Sequence, residues 1–288
     1  MNGNLKLAIQ KKGRLTEKSL DLLKNCGLEI DSYKERLFVS ARNFNVDILF
    51  LRDDDIPEYV QDGVADIGIV GGNVIEEKNS EVNRVRNLGF GKCKLMFGIP
   101  EEESLENPAE LQDKVIATSY PEILNKYLDK NSVSAKIIEI SGSVEIAPTL
   151  GVADYVCDIV STGTTLKMNK LKKSLTVLES QAELIANKKL SENLSKINLF
   201  NELISRIDSA LTAKKSKYLM MNVPGESLDS ISKIIPSLKS PTIMPLADQE
   251  LFAVHAVIPA DRFWQIVEDL KANGASGILL LPIENMIV

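Results

Sequence analysis

The sequence predicts an α/β protein with a two-lobed core and a smaller C-terminal module. Strand-like apolar runs alternate with amphipathic helical segments, which is typical of a mostly parallel sheet covered by helices on both faces. The alternation starts again after residues 95–99, which indicates a second lobe. Beyond residue 212 the order changes to β-α-β-β-α-β, the ferredoxin-like unit.

The first lobe consists of short strands that end at turns rich in glycine and charged residues. Thr16 stands where a helix N-cap is expected, and Gly27 stands where that helix should stop. Pro57 falls in the first turn of a second helix, where its missing N–H is tolerated. The predicted elements are strands at 5–10, 37–41, 46–51 and 67–70, and helices at 16–26 and 54–62.

The second lobe repeats this alternation and then returns the chain to the first lobe. Its predicted elements are strands at 95–99, 115–118, 137–140 and 155–160, with helical segments starting at 121 and covering 166–171. A strand at 175–179, a helix at 181–187 and a long helix at 191–212 follow. The predicted domains are residues 1–96 with 178–212, residues 97–177, and residues 213–288. The expected ligand cleft lies at the carboxyl ends of the strands.

The C-terminal module has proline or glycine where its turns are needed. Its predicted elements are strands at 217–223, 241–246, 251–258 and 276–283, and helices at 226–235 and 261–272. The module shows no obvious catalytic cluster. A role in binding a small ligand or in assembling subunits is therefore favoured.

Composition excludes several classes of function. The 288 residues carry a net charge of −6, which does not indicate binding to nucleic acid or to a membrane surface. Three scattered cysteines argue against a disulfide framework. The single histidine, His255, lies in an apolar strand, which favours a structural role. Neither a signal sequence nor an apolar run of about 18 residues is evident, so a cytoplasmic location is expected.

Residues 154–166 are the most informative stretch. A strand at 155–160 leads into the turn Ser161, Thr162, Gly163, Thr164 and Thr165, and then into a helical segment. Unpaired backbone N–H groups at a helix start favour an anion, and a glycine allows close approach. Asp158 beside this turn suggests that the phosphate belongs to a ribose, because the carboxylate suits ribose hydroxyls or Mg²⁺. The alternative is a buried strand that ends in a Ser/Thr-capped helix. The turn is not a Walker A motif.

Cations follow the first and third strands, where a cleft is expected. Lys11, Gly13 and Arg14 together suit a pyrophosphate, although this motif taken in isolation favours a solvated surface turn. Arg52 follows the third strand and is a further candidate. The acidic residues 53–55 favour helix capping over metal ligation.

Two further turns are candidate substrate contacts. Gly71 belongs to a glycine pair that lets a base or sugar approach the backbone. Ser141, Gly142, Ser143 and Glu145 form a second helix start with two hydroxyl groups, for which a simple helix cap is the alternative.

The motifs described above, taken in their order along the sequence, resemble those of the ATP phosphoribosyltransferases that begin histidine biosynthesis. The matching stretches are 8–15 (AIQKKGRL), 52–57 (RDDDIP), 62–69 (DGVADIGI), 141–145 with 147–148, and 154–166, together with 217–221, 240–243 and 274–284 in the C-terminal module. The resemblance runs essentially from end to end. The stretch 154–166 is the most specific, because it matches the phosphoribosyl-diphosphate loop of that family.

The resemblance implies a fold and a reaction. The fold is a periplasmic-binding-protein-like core of two lobes with an ACT-like regulatory domain, as in the long form of the family. The reaction is transfer of phosphoribose from 5-phosphoribosyl 1-diphosphate to N1 of the adenine of ATP, with Mg²⁺ and release of pyrophosphate. Feedback inhibition by histidine and dimers that assemble into hexamers are also implied.

The resemblance also suggests residue roles. The 161–165 turn would hold the 5-phosphate. Asp158, with or without Asp154, would hold the ribose hydroxyls. Lys11, Arg14 and Arg52 would share the pyrophosphate and the ATP phosphates. The candidate histidine contacts are Asn222, Leu238, Ser240, Thr242 and Ala275. The rival hypotheses are a non-enzymatic two-lobed sensor and a phosphoribosyltransferase for another base.

Overall fold

A computed structural model describes residues 3–31, 36–160, 163–248 and 250–287. The chain divides into two compact units, residues 1–21 with 29–199 and residues 22–28 with 200–288.

The strands are β1 Leu5–Gln10, β2 Phe38–Ser40, β3 Val46–Leu51, β4 Ile67–Gly71, β5 Asn83–Asn87, β6 Cys93–Pro100, β7 Val115–Thr118, β8 Lys136–Glu139, β9 Tyr155–Val160, β10 Leu171–Ser180, β11 Ala182–Ala186, β12 Ser216–Pro224, β13 Thr242–Pro245, β14 Leu251–Pro259 and β15 Ser276–Pro282. The α-helices are α1 Thr16–Asn25, α2 Ile56–Gln61, α3 Gly72–Glu77, α4 Pro121–Lys130, α5 Thr164–Met168, α6 Leu194–Lys214, α7 Leu228–Ile234 and α8 Phe263–Ala272.

The first unit contains two sheets, and we call the part around each sheet a lobe. Lobe I has the strand order β2-β3-β1-β4-β11-β5. Strand β1 pairs in parallel with β3 and β4, whereas β2, β11 and β5 join antiparallel. The predicted two-lobed α/β fold is confirmed. The expectation of a mostly parallel sheet was wrong, because three of the five strand pairings in lobe I are antiparallel.

The helix predicted at 181–187 was also wrong. The segment Ala182–Ala186 is β11, which pairs with β4 on one side and β5 on the other. Alanine, glutamate and leucine all favour helices. All five residues are buried in the middle of the sheet, so tertiary pairing outweighs that local preference.

Lobe II has the strand order β10-β6-β9-β7-β8, with β7 parallel to β8 and β9 and with β6 antiparallel to β9 and β10. One face packs Phe97 and Tyr155 against α4, and the other packs Val156 against Leu166 of α5. The predicted helix at 166–171 is shorter and earlier than expected. It ends at Met168, and β10 begins at Leu171.

Chain crossings and a helix cap are among the contacts that join the two lobes. The crossings pair through the Leu88 N–H donating to the Ala182 carbonyl and the Ala182 N–H donating to the Phe90 carbonyl, both at 2.9 Å. The carboxylate of Glu77, at the end of α3 in lobe I, accepts the N–H groups of residues 122 and 123 at 3.0 Å. This carboxylate therefore caps α4 of lobe II.

The C-terminal sheet has the order β13-β14-β12-β15 and is antiparallel throughout. With α7 and α8 this is the predicted ferredoxin-like unit, and each boundary lies within three residues of its prediction. The core packs Leu219, Met221 and Val254 against the helices. His255 is half-buried, with its Nδ1 atom 2.9 Å from the Tyr218 hydroxyl, which fits a structural role. Among the residues described above, no helix has the length and apolarity needed to span a bilayer.

Candidate functional site

A cavity of about 750 Å³ lies between the two lobes, at the ends of β1, β4, β7 and β9. Its walls combine cations, carboxylates and glycines from both lobes. The lining residues are Gln10, Gly13, Arg14, Leu15, Lys18, Asp53, Gly71, Asn73, Val74, Gly91, Lys92, Cys93, Tyr120, Asp158 and Ile159. Four of the residues predicted from the sequence, Gly13, Arg14, Gly71 and Asp158, are therefore brought together.

The lobe I wall is shaped by the turn after β1. The buried side chain of Gln10 accepts the Leu15 N–H at 3.0 Å and closes this turn. Gly13 has φ +145°, and a Cβ at this position would overlap the Gln10 amide. The turn therefore requires glycine, and it places the exposed Arg14 at the cavity.

Two predicted cations lie beside the cavity and do not line it. Lys11 continues the pairing of β1 with β3, because its N–H donates to the Leu51 carbonyl at 2.7 Å. Arg52 is exposed just before the 3₁₀ turn Asp53–Asp55 and makes no side-chain cap bond.

The predicted helix caps of lobe I are not formed by Thr16 or Asp55. Thr16 is the first residue of α1, and its hydroxyl is buried and unpartnered in the described part of the chain. No side-chain cap bond is made by Asp55 either.

The lobe II wall presents Asp158, whose Oδ1 accepts the N–H of Ile159 at 2.7 Å. Burial raises the pKa of the Asp158 carboxyl, and the nearby Glu145 carboxylate raises it further. The Ile159 N–H and the Arg14 guanidinium act in the opposite direction on this pKa. Arg14 of lobe I thus interacts with Asp158 across the cavity, and Glu145 interacts with Asp158 within lobe II.

Asp154 lies at the other end of β9, four residues and about 13 Å from Asp158 at the usual strand rise. Its carboxylate accepts the Val115 N–H at 2.7 Å, and its own N–H donates to the Val115 carbonyl at 2.8 Å. This carboxylate fastens β9 to β7. The structure does not bring Asp154 to the cavity.

The predicted phosphate loop is described in part. Ser161 and Thr162 lie outside the described residues. Gly163 has φ +85° and immediately precedes α5, which begins with Thr164 and Thr165. The end of the Lys173 side chain from β10 occupies the space that a Cβ at Gly163 would need. Lys173 is a cation at this loop that sequence reasoning missed.

The turn at residues 141–143 is exposed, with φ +86° at Gly142 and +50° at Ser143. Ser143 makes no side-chain cap bond to the 3₁₀ helix that follows, so the helix-cap alternative does not describe this residue. Ser141 is also exposed. Of this predicted group, Glu145 interacts electrostatically with Asp158.

Sequence reasoning missed several lining residues. Asn73 is buried beside Gly71, and its N–H donates to the Ser180 hydroxyl at 2.9 Å. Tyr120 is the second residue after β7, so the rule that ligands bind at strand ends could have found it. Burial raises the pKa of Tyr120, and the Asp158 carboxylate raises it further, so the phenol stays protonated. Lys92 belongs to a lobe crossing and carried no recognisable signal.

The five candidate histidine contacts fall into two groups within the C-terminal sheet. Asn222 on β12 and the buried Ala275 lie beside the β15 edge. Thr242 is on β13 at the opposite edge, and the exposed Ser240 precedes it. The Leu238 N–H donates to the Val257 carbonyl of β14 at 3.0 Å. One copy of this module does not gather all five around one point.

The cavity offers a limited donor set for a metal ion. Asp53 and Asp158 supply carboxylate oxygens on opposite walls. Within residues 3–31, 36–160, 163–248 and 250–287, no three His, Cys, Asp or Glu side chains cluster as a metal site. Mg²⁺ is usually bound by one or two carboxylates together with substrate phosphates, and this donor set fits that mode.

Comparisons with known proteins identify the family. The ATP phosphoribosyltransferase model matches residues 52–209, and the model of the HisG C-terminal domain matches residues 213–285. ATP phosphoribosyltransferases from Cytophaga hutchinsonii and Parabacteroides distasonis are 48% and 47% identical, covering 100% and 99% of this chain and 100% of each relative. A chain of the ATP phosphoribosyl transferase (HisG:HisZ) complex from Thermotoga maritima is 28% identical with a TM-score of 0.59, covering 71% of this chain and 98% of that one. This chain therefore belongs to the ATP phosphoribosyltransferase family.

Proposed function

We propose that the protein transfers phosphoribose from 5-phosphoribosyl 1-diphosphate to N1 of the adenine of ATP. The products are N1-(5-phosphoribosyl)-ATP and pyrophosphate, and the reaction is the first step of histidine biosynthesis. One observation carries this proposal beyond family membership. Arg14 of lobe I and Asp158 of lobe II interact across a cavity of about 750 Å³, large enough for small-molecule ligands.

The lone pair on adenine N1 attacks the anomeric carbon while the bond from that carbon to the pyrophosphate oxygen breaks. The departing pyrophosphate takes the bonding electrons, and the ribose carbon is inverted. Because N1 already has a lone pair, the attack needs no proton removal. The protein's role is to position the two substrates and to stabilise the developing charge.

The two walls divide this work. Arg14 and Lys18 face the leaving group from lobe I, with Lys11 and Arg52 beside them. Asp158 binds ribose hydroxyl groups, and its raised pKa makes it a better hydrogen-bond acceptor than an exposed carboxylate. Tyr120 remains a hydrogen-bond donor, since its pKa is raised.

Mg²⁺ fits this site as a companion of the substrate phosphates, with Asp53 and Asp158 as its candidate protein ligands. When bound, the ion offsets negative charge on the pyrophosphate. The cations of lobe I then act on the remaining charge. Gly13 matters indirectly, because its conformation keeps Arg14 at the cavity.

The C-terminal unit is the proposed site of feedback inhibition by histidine. The candidate contacts lie at two opposite edges of its sheet, so a complete histidine site would combine edges from two copies. This arrangement supports a homo-oligomer, from dimer to hexamer, as the regulated form. A cytoplasmic location follows from the biosynthetic role.

The test combines purified protein with ATP, 5-phosphoribosyl 1-diphosphate, Mg²⁺ and pyrophosphatase, and follows the ultraviolet absorbance of the adenine product with and without histidine. We expect product formation that histidine suppresses. Product without suppression would remove the histidine assignment and leave the reaction intact. No product from folded protein would reject the reaction, and the same assay with other bases would then be required.

A further inference from the structure

A second cavity, of about 830 Å³, adjoins the first beside β6 and β10, and Lys92 and Cys93 line both. Its walls are richer in cations than in acids. The charged lining residues are Arg84, Lys92, Lys94, Lys173, Glu179 and Glu183. Because four cations face two carboxylates, the cavity is suited to an anion.

Ion pairs account for only part of this positive charge. Arg84 donates to Glu183 and to Glu76, each at 2.5 Å, and Lys94 lies 2.5 Å from Glu179. In the described part of the chain, no carboxylate pairs with Lys92 or Lys173. The excess charge therefore comes from these two lysines.

The backbone fixes where Lys173 points. Lys173 is paired with Gly98 on β6, and Met96, two residues away, is paired with Asp158 on β9. Side chains alternate along strands, so Lys173 and Asp158 lie on the same face of the lobe II sheet. From this face the end of the Lys173 side chain reaches Gly163.

We propose that Lys173 binds the phosphate monoester of the phosphoribosyl donor, its 5-phosphate. This inference rests on the proposed function and adds a residue to its binding site. The side chains of Gly163, Thr164 and Thr165 carry no formal charge, whereas a phosphate monoester carries close to two negative charges at neutral pH. An ammonium at Gly163 supplies the compensating charge that the loop itself lacks.

The experiment is a calorimetric titration of ribose 5-phosphate and, separately, of ATP into the parent protein, Lys173→Met and Lys172→Met. Lys172 is the matched control, because it is also exposed but belongs to the opposite face, paired with Ile99. We expect Lys173→Met to weaken ribose 5-phosphate binding by about tenfold, as loss of one charge-assisted contact predicts. ATP binding should be unchanged, and Lys172→Met should match the parent for both ligands.

Three outcomes would overturn the inference. One is parent-like binding of ribose 5-phosphate by Lys173→Met. Another is an equal loss in Lys172→Met, which would indicate a general charge effect. The third is weaker binding of ATP alone, which would place an ATP phosphate at Lys173.

Product formation in the parent protein separates this inference from the proposed function. Parent protein that binds ribose 5-phosphate through Lys173 but forms no product would reject the reaction and keep the lysine assignment. Parent protein that forms product while Lys173→Met binds ribose 5-phosphate normally would keep the reaction and reject the lysine assignment.

Discussion

The two walls of the cleft use opposite chemistry on similar scaffolds. Lobe I presents cations on a glycine-dependent turn and the first turn of α1, through Arg14 and Lys18. Lobe II presents Asp158, with Glu145 close enough to raise its pKa. In the proposed reaction lobe I holds the leaving group and lobe II holds the ribose, so neither lobe alone supplies both sites. The difference indicates that substrate binding depends on holding both lobes together.

The largest effect is expected when a positive charge is removed from the lobe I wall. Arg14→Ala should lower kcat/KM by about a hundredfold to a thousandfold, because it removes a group that stabilises developing negative charge. Lys12→Ala is the matched control, since Lys12 is exposed in the same turn but does not line the cavity. Steady-state kinetics with both substrates varied would check this. Similar losses in the two variants would contradict the role of Arg14.

The next test compares Asp158 of β9 with Asp154, which immediately precedes that strand. Asp158→Asn should lower kcat/KM by about tenfold to a hundredfold, as expected for the loss of a charged hydrogen-bond acceptor. Asp154→Ala should leave kcat unchanged and lower the free energy of unfolding by about 1 kcal/mol, because the Val115 N–H loses its acceptor. Kinetics and urea unfolding of both variants give the answer. An activity loss in Asp154→Ala without a loss of stability would reverse the assignment.

The Glu77 cap tests whether the lobes must be held together. Glu77→Ala removes the acceptor for two N–H groups at the start of α4. We expect a loss of about 1 kcal/mol in the free energy of unfolding, the usual cost of losing a cap. KM for the phosphoribosyl donor should rise several-fold with little change in kcat. Unchanged KM in a destabilised variant would show that the cap serves stability alone.

The smallest expected effect is a pH-dependent difference in thermal stability. The pKa of Asp158 is raised in the folded protein above its ordinary value of 3.8, so ionising this carboxyl costs folding free energy. This free-energy penalty is absent at pH values below the pKa that Asp158 has in the unfolded chain. It grows as the pH rises through the higher pKa that Asp158 has in the folded protein. The Tm of Asp158→Asn minus that of the parent should therefore be larger at pH 8 than at pH 4. A difference that shrinks with rising pH would contradict the pKa direction.

Strand ends could be predicted from the sequence, and they locate most of the cleft. Gly13, Arg14 and Asp158 follow or lie in segments whose apolar patterns are unambiguous. The same reasoning failed at 182–186, because a segment with helical preference was placed between two strands that lie far away in the sequence. Local preference carries no information about such pairing.

Side-chain direction could not be predicted either. Asp154 and Asp158 both flank the phosphate loop in sequence, yet one fastens β7 and the other faces the cavity. Lys173 reaches Gly163 only because β10 folds back beside β6. These contacts depend on strand register, which the pattern of apolar residues on one strand does not contain.

The return of the chain through β11 has a consequence for synthesis on the ribosome. Ser180 reaches back to Asn73 across 107 residues, and β11 fills the sheet position next to β4. At a synthesis rate of about 5–20 residues per second, β11 leaves the ribosome roughly 5–20 s after β4. Lobe II, whose strands are continuous in sequence, is available to fold during that interval. The lobe that begins first is thus completed last, and its open strand edge is the part of the nascent chain most in need of protection from pairing with other chains.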